Sequence, residues 1–206
     1  MINQLVKRAL ISVSNKDCLV LLGRFFSSIG YEIISTSSTA SLFQQWKIPV
    51  IQVSEYTGSP EILGGRVKTL HPKVFAGILA KQTPEHLEQI QMIKAGLIDL
   101  VVVNLYPFAQ TISKPDVALA EAIEQIDIGG PSLLRAAAKN YERVAVVCDP
   151  NDYKLIISEI QNGGITPSTR EQLALKAFQH TAHYDATIAS FLEWQFNGAT
   201  PSTEVP

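Results

Sequence analysis

Short apolar runs alternate with longer amphipathic stretches along most of this chain. Ala9–Val13 is a β-rich run, and Asp17 to about Ile29 carries apolar residues at helical spacing. Tyr31–Ser35 predicts a second strand, Thr39–Trp46 a helix that ends near Pro49, and Val50–Val53 a third strand. From Glu55 to Pro72 the chain is polar and Gly-rich and has no clear period. A loop of that length inside one domain is usually functional or disordered. Val74–Leu79 then reads as another strand, Glu85–Ala95 as a helix, and Leu97–Leu105 as a strand buried on both faces. Asp116–Gln125 predicts a helix, and a further helix has Pro131 at its first position and Asn140 near its end. Val144–Val147 is the last strand and Asp152–Gln161 another helix. Ser168–Trp194 has apolar positions at Leu173, Ala174, Ala177, Phe178, Ala182 and Ile188, the pattern of a long helix with a kink or break. Residues 197–206 are mostly small and polar and read as a flexible tail behind a single domain spanning 1–196.

Strands that alternate with helices predict an α/β fold, a mainly parallel sheet between two helical layers, followed by a C-terminal helical segment. The 206 residues are 46% hydrophobic and 17% charged, enough apolar material for one large core. A formal net charge of −2 gives no electrostatic footprint for a nucleic-acid backbone or an anionic membrane, so neither is an expected partner. Any phosphate must be held locally. Cys18 and Cys148 lie far apart, and the four histidines form no CxxC or HxxxH pattern, so no metal is expected. Cys148, inside the run Val144–Cys148, reads as a small buried hydrophobe. Asn3, Gln4, Lys7 and Arg8 interrupt any signal-peptide core, and no apolar stretch approaches the roughly 20 residues of a membrane helix. The chain reads as cytoplasmic.

In an open α/β sheet, ligands bind at the carboxyl ends of strands, where helix N-termini offer unpaired N–H groups to anions. Three predicted strand ends carry unusual polar content. Ser12-Val13-Ser14-Asn15-Lys16 supplies two hydroxyls and a cation on one side of a strand end, a phosphate grip or a helix cap with a surface lysine. Ser35-Thr36-Ser37-Ser38-Thr39 sets five hydroxyl residues between a strand and a helix. Asn104-Leu105-Tyr106-Pro107-Phe108 follows the most buried strand, where an Asn and a Tyr can hydrogen-bond a flat heterocycle. In the long loop, Gly64-Gly65-Arg66-Val67-Lys68-Thr69-Leu70-His71-Pro72 gathers three cationic or titratable groups beside a double glycine. Finally, Asp127 precedes a Gly129-Gly130-Pro131 helix start, while Arg135 and Lys139 share a helical face.

These segments, together with Leu133–Asn140 and Lys176–Asp185, resemble the inosinicase (IMP cyclohydrolase) domain of the bifunctional purine-biosynthesis enzymes, in order and spacing from residue 8 to about 194. The resemblance implies the fold shared with methylglyoxal synthase. It also implies dehydrative closure of a formamidoimidazole-carboxamide ribonucleotide to inosine monophosphate, with no cofactor and a homodimeric assembly. By resemblance Ser12, Ser14, Lys16, Thr36 and Thr39, with Ser37 and Ser38, hold the ribose phosphate. Arg66, Lys68 and Thr69 reach the substrate from the loop, and Asn104, Tyr106, Asp127, Ile128, Gly129 and Lys139 surround the reacting base. Ser37-Ser38 stands where the family usually has a glycine pair, and Phe75 where it often has His.

The chemistry implied needs an oxyanion stabilised and two protons moved. Lys68 and backbone N–H groups near Gly129-Gly130 are expected to hold the oxyanion. Asp127 and Lys139 are expected to manage the protons, with either one as base, and Tyr106 to position the formyl group or relay a proton. This expectation requires Lys68, Asp127 and Lys139 to meet in one cleft. A formyltransferase domain, and with it folate-dependent formyl transfer, is not expected in this chain. Two other readings of the fold are a methylglyoxal-synthase-like lyase, which needs neither the Arg66–Pro72 loop nor the Asp127–Lys139 segment, and a non-catalytic purine-nucleotide-binding regulatory domain.

Overall fold

Runs of Ile, Leu and Val with no polar face are stable as strands only where both sides of the sheet are covered. The computed structural model, which describes residues 6–113 and 117–198, has them there. Five strands, β1 (Arg8–Val13), β2 (Glu32–Ser35), β3 (Ile51–Gln52), β4 (Leu100–Asn104) and β5 (Ala145–Val147), form an all-parallel sheet in the order β3-β2-β1-β4-β5. β1 and β4 are the central pair, in register from Ala9 opposite Leu100 to Val13 opposite Asn104. Their apolar side chains make the middle of the core.

Among the described residues, ten α-helices connect and cover the strands: α1 (Leu19–Ser28), α2 (Ser37–Gln45), α3 (Val53–Thr57), α4 (Pro72–Leu79), α5 (Pro84–Met92), α6 (Phe108–Ile112), α7 (Leu119–Glu124), α8 (Gly129–Lys139), α9 (Tyr153–Gln161) and α10 (Pro167–Asn197). α1 lies beside α2 and α9, while α8 packs on β4 and β5 with α4 and α10 as neighbours. With β1-to-β2 and β4-to-β5 running in opposite directions across the sheet, the right-handed rule for parallel crossovers assigns these two groups to opposite faces. Cys148 is buried just past β5, and burial pushes its thiol up to about 11.

Two expected elements differ from this fold. Val74–Leu79 is helix α4 and not a strand. Its unbroken apolar run suits either form, but local chemistry decides: His71 Nδ1 accepts the Lys73 N–H at 3.1 Å as an N-cap, and Pro72 pre-sets the first turn. Val74, Gly77 and Ile78 then fall on one buried stripe. The long C-terminal helix is continuous, 31 residues without a break. Its buried stripe runs through Leu173, Ala174, Ala177, Thr181, Tyr184 and Phe191, so Phe178 and Ala182 lie outside it. Thr166 caps its start, accepting the Thr169 N–H at 3.2 Å, and Gly198, at φ 64°, ends it. The helix expected from Asp116 begins at Leu119, and Asp116 itself lies outside the described residues. Of the expected tail, 199–206 also lie outside them, while Asn197 is still helical.

The amino edge of the sheet is closed by side chains. Arg143, with only 10% of its side chain exposed, donates to the carbonyls of Gly77 (2.6 Å), Ile78 (2.8 Å), Ala80 (2.8 Å) and Ile98 (3.0 Å). Asn140 Nδ2 adds bonds to Ile78 at 2.8 Å and Ala80 at 3.0 Å, which together satisfy the last carbonyls of α4. Arg143→Met should therefore destabilise the fold by about 3–5 kcal/mol, since several buried carbonyls and the Asp99 carboxylate lose their partner. Urea unfolding checks this, and a loss below about 1 kcal/mol would mean water replaces the guanidinium.

Candidate active site

Strand order reverses between β1 and β4, and the crevice at their carboxyl ends is where an open parallel sheet accepts a ligand. A cleft of about 620 Å³ opens there, within the usual 300–1,000 Å³ of small-molecule sites. Its walls come from the end of β1, the start of α2, the Gly64–Thr69 loop, the end of β4, and the chain entering α8.

One end of the cleft carries hydroxyls and helix-start N–H groups. Ser12 Oγ and Thr36 Oγ1 are 2.7 Å apart, both half-buried. Ser37 and Ser38 open α2, where first-turn N–H groups have no intrahelical acceptor. Ser14 lines the same wall, and Asn104 holds it in place: its Oδ1 accepts the N–H of Ser14 at 2.7 Å and of Asn15 at 2.9 Å, and its Nδ2 donates to Asn15 C=O at 3.0 Å. Asn104 thus spends its amide on shaping the β1 turn. Thr39 does not reach the cleft. It is wholly buried, with its hydroxyl committed to the N–H and C=O of Val13, both at 3.2 Å. Lys16 stands beside the cleft, Nζ 3.4 Å from Val13 C=O.

The other end carries opposed charges. Gly64 and Gly65 adopt left-handed backbone, and a Cβ on Gly65 would sit 2.8 Å from Lys68 Cε, so glycine there leaves room for the lysine stem. Lys68 Nζ is 3.5 Å from Glu61 Oε2, and Glu61 Oε1 accepts from the Ser37 hydroxyl. One carboxylate therefore links the two ends of the cleft. Arg66 pairs with Glu124 of α7 across the mouth. Both are exposed, and such pairs contribute roughly 0–1 kcal/mol, so Arg66 is easily drawn to an anion.

Asp127 lies at the floor. Its Oδ1 accepts the Gly130 N–H at 2.9 Å. Burial raises its pKa above the ordinary carboxylate value, opposed by hydrogen bonds from Gly130 and Gly129 and by the charge of Lys68. The double glycine is required by packing. A Cβ on Gly130 would lie 2.3 Å from Asp127 Oδ2, and one on Gly129 would lie 2.8 Å from the buried Thr69 hydroxyl. The Gly130 N–H is consequently committed to Asp127. Tyr106 and Ile128 line the mouth, half or more exposed.

Lys139 is not in this cleft. It is exposed in the last turn of α8, about 15 Å along the axis from the residues at the helix start. There it borders a shallow surface groove with Tyr141, Glu171, Leu175 and Phe178. The convergence expected of three side chains is reached by Lys68 and Asp127 only. Glu124, which lines the wall, and Glu61, which holds Ser37 and Lys68, have no periodic signature in the chain and emerge only from the fold.

Against protein families, residues 19–132 match the MGS-like domain, more than half of the chain. This chain belongs to that family. Residues 137–205 match the AICARFT/IMPCHase bienzyme family. The chain is 53% identical over 189 residues to the bifunctional purine biosynthesis protein PurH of Lactiplantibacillus plantarum, which covers 91% of this chain and 37% of that protein. PurH of Neisseria meningitidis is 50% identical over 190 residues, 91% of this chain and 36% of that protein. The chain thus spans a little over a third of the length of these relatives. The crystal structure of ForH superposes with a TM-score of 0.79 at 36% identity, covering 89% of this chain and 97% of that one.

Asp127 makes a sign-specific prediction. Its folded pKa lies above the unfolded one, so its stabilising contribution is present below the ordinary carboxylate range and is lost as pH rises through the folded value. Above its folded pKa the half-buried carboxylate costs stability, and Asp127→Asn should melt higher there, by about 2–4 °C per kcal/mol relieved. Thermal unfolding at a pH above that value checks this. A lower melting temperature would show that the glycine N–H groups and Lys68 already outweigh burial.

Proposed function

We propose that this chain is an IMP cyclohydrolase, closing the six-membered ring of a 5-formamidoimidazole-4-carboxamide ribonucleotide to give inosine monophosphate. The observation that carries this reading is one cleft with a hydroxyl and N–H cradle at one end and both Lys68 and Asp127 lining the other. The relatives named as purine biosynthesis proteins support the same reading. The substrate is a small ribonucleotide, and a homodimer remains the assembly implied by the sequence resemblance.

The phosphate lies against Ser12, Thr36 and the opening turn of α2, with Ser14 and Arg66 alongside. This fixes the base over Lys68 and Asp127. Ring closure joins the carboxamide nitrogen to the formyl carbon of the same molecule, and a well-oriented intramolecular attack gains an effective molarity of up to about 10⁵–10⁸ M. Asp127 accepts the carboxamide proton as the C–N bond forms, helped by a carboxylate more basic than an exposed one. Lys68 hydrogen-bonds the former formyl oxygen as it becomes an alkoxide and then a hydroxyl. That oxygen departs as water, built from the proton taken from the carboxamide nitrogen and the one lost by the formamide nitrogen. Tyr106, at the mouth, orients the formyl group. With Lys139 on another surface, Asp127 both accepts the first proton and returns it to the leaving oxygen.

The direct test is absorbance. The formylated imidazole ribotide should convert to a hypoxanthine chromophore without any additive. Lys68→Ala should lower turnover at least about 100-fold, the scale of removing one oxyanion donor. Turnover near the wild-type rate in that variant would remove Lys68 from the mechanism, and no conversion by the wild-type protein would refute the cyclohydrolase reading.

A further inference from the structure

The MGS-like match ends at residue 132, within α8, yet the segment that carries Asp127 is held from outside that match, by α10. Tyr184 of α10 is buried, and its hydroxyl accepts the Asp127 N–H at 2.8 Å while donating toward Gln125 C=O at 3.4 Å. Its ring meets Phe108 edge-on, with centroids 6.3 Å apart, and Phe108 in turn packs edge-on against Phe191, one α10 stripe position further along. Phe108 is two residues from Tyr106 in a tight turn where its N–H donates to Tyr106 C=O at 2.8 Å. One side chain thus braces both approaches to the cleft: the Gln125–Asp127 backbone through its hydroxyl and the Tyr106–Phe108 turn through its ring.

We infer that Tyr184 is a positioning residue for ring closure, fixing the backbone of Asp127 so that its carboxylate meets the carboxamide nitrogen. The inference rests on the cyclohydrolase reading. Asp127 touches Tyr184 only through its main chain, and the Asp127 carboxylate is aimed by two constraints. Gly130 fixes the carboxylate and Tyr184 fixes the N–H of the same residue. A residue anchored at both ends cannot swing, which is the condition for a near-attack geometry, and a displacement of about 1 Å can cost on the order of 100-fold in rate. The same helix would have no such duty in a fold that lacked the Asp127 segment, and the run Lys176–Asp185 acquires a role in this protein that its sequence pattern alone does not explain.

Tyr184→Phe keeps the ring on Phe108 and removes only the hydroxyl. Turnover should fall about 10- to 100-fold with KM within threefold of wild type, because the phosphate cradle is untouched. In an Asp127→Asn background the same change should alter the residual rate less than twofold, since the group it positions is gone. Amide hydrogen exchange gives a readout independent of turnover: the Asp127 N–H should be protected in wild type and exchange at least tenfold faster in Tyr184→Phe. Unchanged turnover, an equal loss in the Asp127→Asn background, or unchanged protection of the Asp127 amide would each overturn the inference. A wild-type protein that fails to cyclise would refute the cyclohydrolase reading instead, and the exchange measurement would still decide whether the clamp exists.

Discussion

A carboxylate withdrawn from water but kept within reach of a lysine is the constraint around which this end of the molecule is built. Burial alone would neutralise Asp127 or drive it outward. The glycine N–H groups at the start of α8 and the Lys68 ammonium offset that cost, and each demands something of the backbone around it. The N–H groups can approach only if residues 129 and 130 lack side chains, because Thr69, Leu105 and the carboxylate itself fill the space. The lysine stem can lie along its loop only if residue 65 is a glycine in left-handed backbone. Three glycines at two distant points in the chain therefore serve one carboxyl group.

The sheet sets the scale on which this happens. Parallel strands meeting at the β1–β4 reversal leave a crevice whose position follows from strand order, and the amino edge is shut by Arg143 and Asn140. Polar side chains at the closed edge satisfy the chain's own carbonyls. At the open edge, Ser12, Thr36 and the start of α2 still have capacity for a ligand. α10 then adds to the family fold a rigid brace on one side of that opening, which ties binding geometry to a helix of 31 residues rather than to a loop.

Much of this was legible in the residues themselves. Apolar runs such as Leu100–Val103 admit only a two-sided burial, and the alternation with helices fixed the α/β class. The hydroxyl run after β2 and the double glycines stood out in the chain, and the fold brings them to one cleft at the β1–β4 reversal. What escaped was whatever depends on direction. Val74–Leu79 is apolar throughout, so its period carried no information and the His71 cap decided it. Thr39 belongs to the hydroxyl run, but one helical turn rotates it into the core and onto Val13. Lys139 shares a helix with the Gly129-Gly130 start, yet 11 residues of helix carry it to another surface. Glu61 and Tyr184 come from remote segments, and nothing local marks either one as a partner of Ser37 or Asp127.

On the reading proposed above, the half-buried Asp127 carboxylate is the proton acceptor in this cleft. The pH dependence of kcat/KM for ring closure, taken with wild type and Asp127→Asn, tests it most directly. Wild type should show an acidic limb whose midpoint lies above the ordinary carboxylate pKa of about 3.9, and the residual activity of the variant should show no such limb. A limb that persists in Asp127→Asn, or a wild-type midpoint at or below the ordinary carboxylate value, would contradict it.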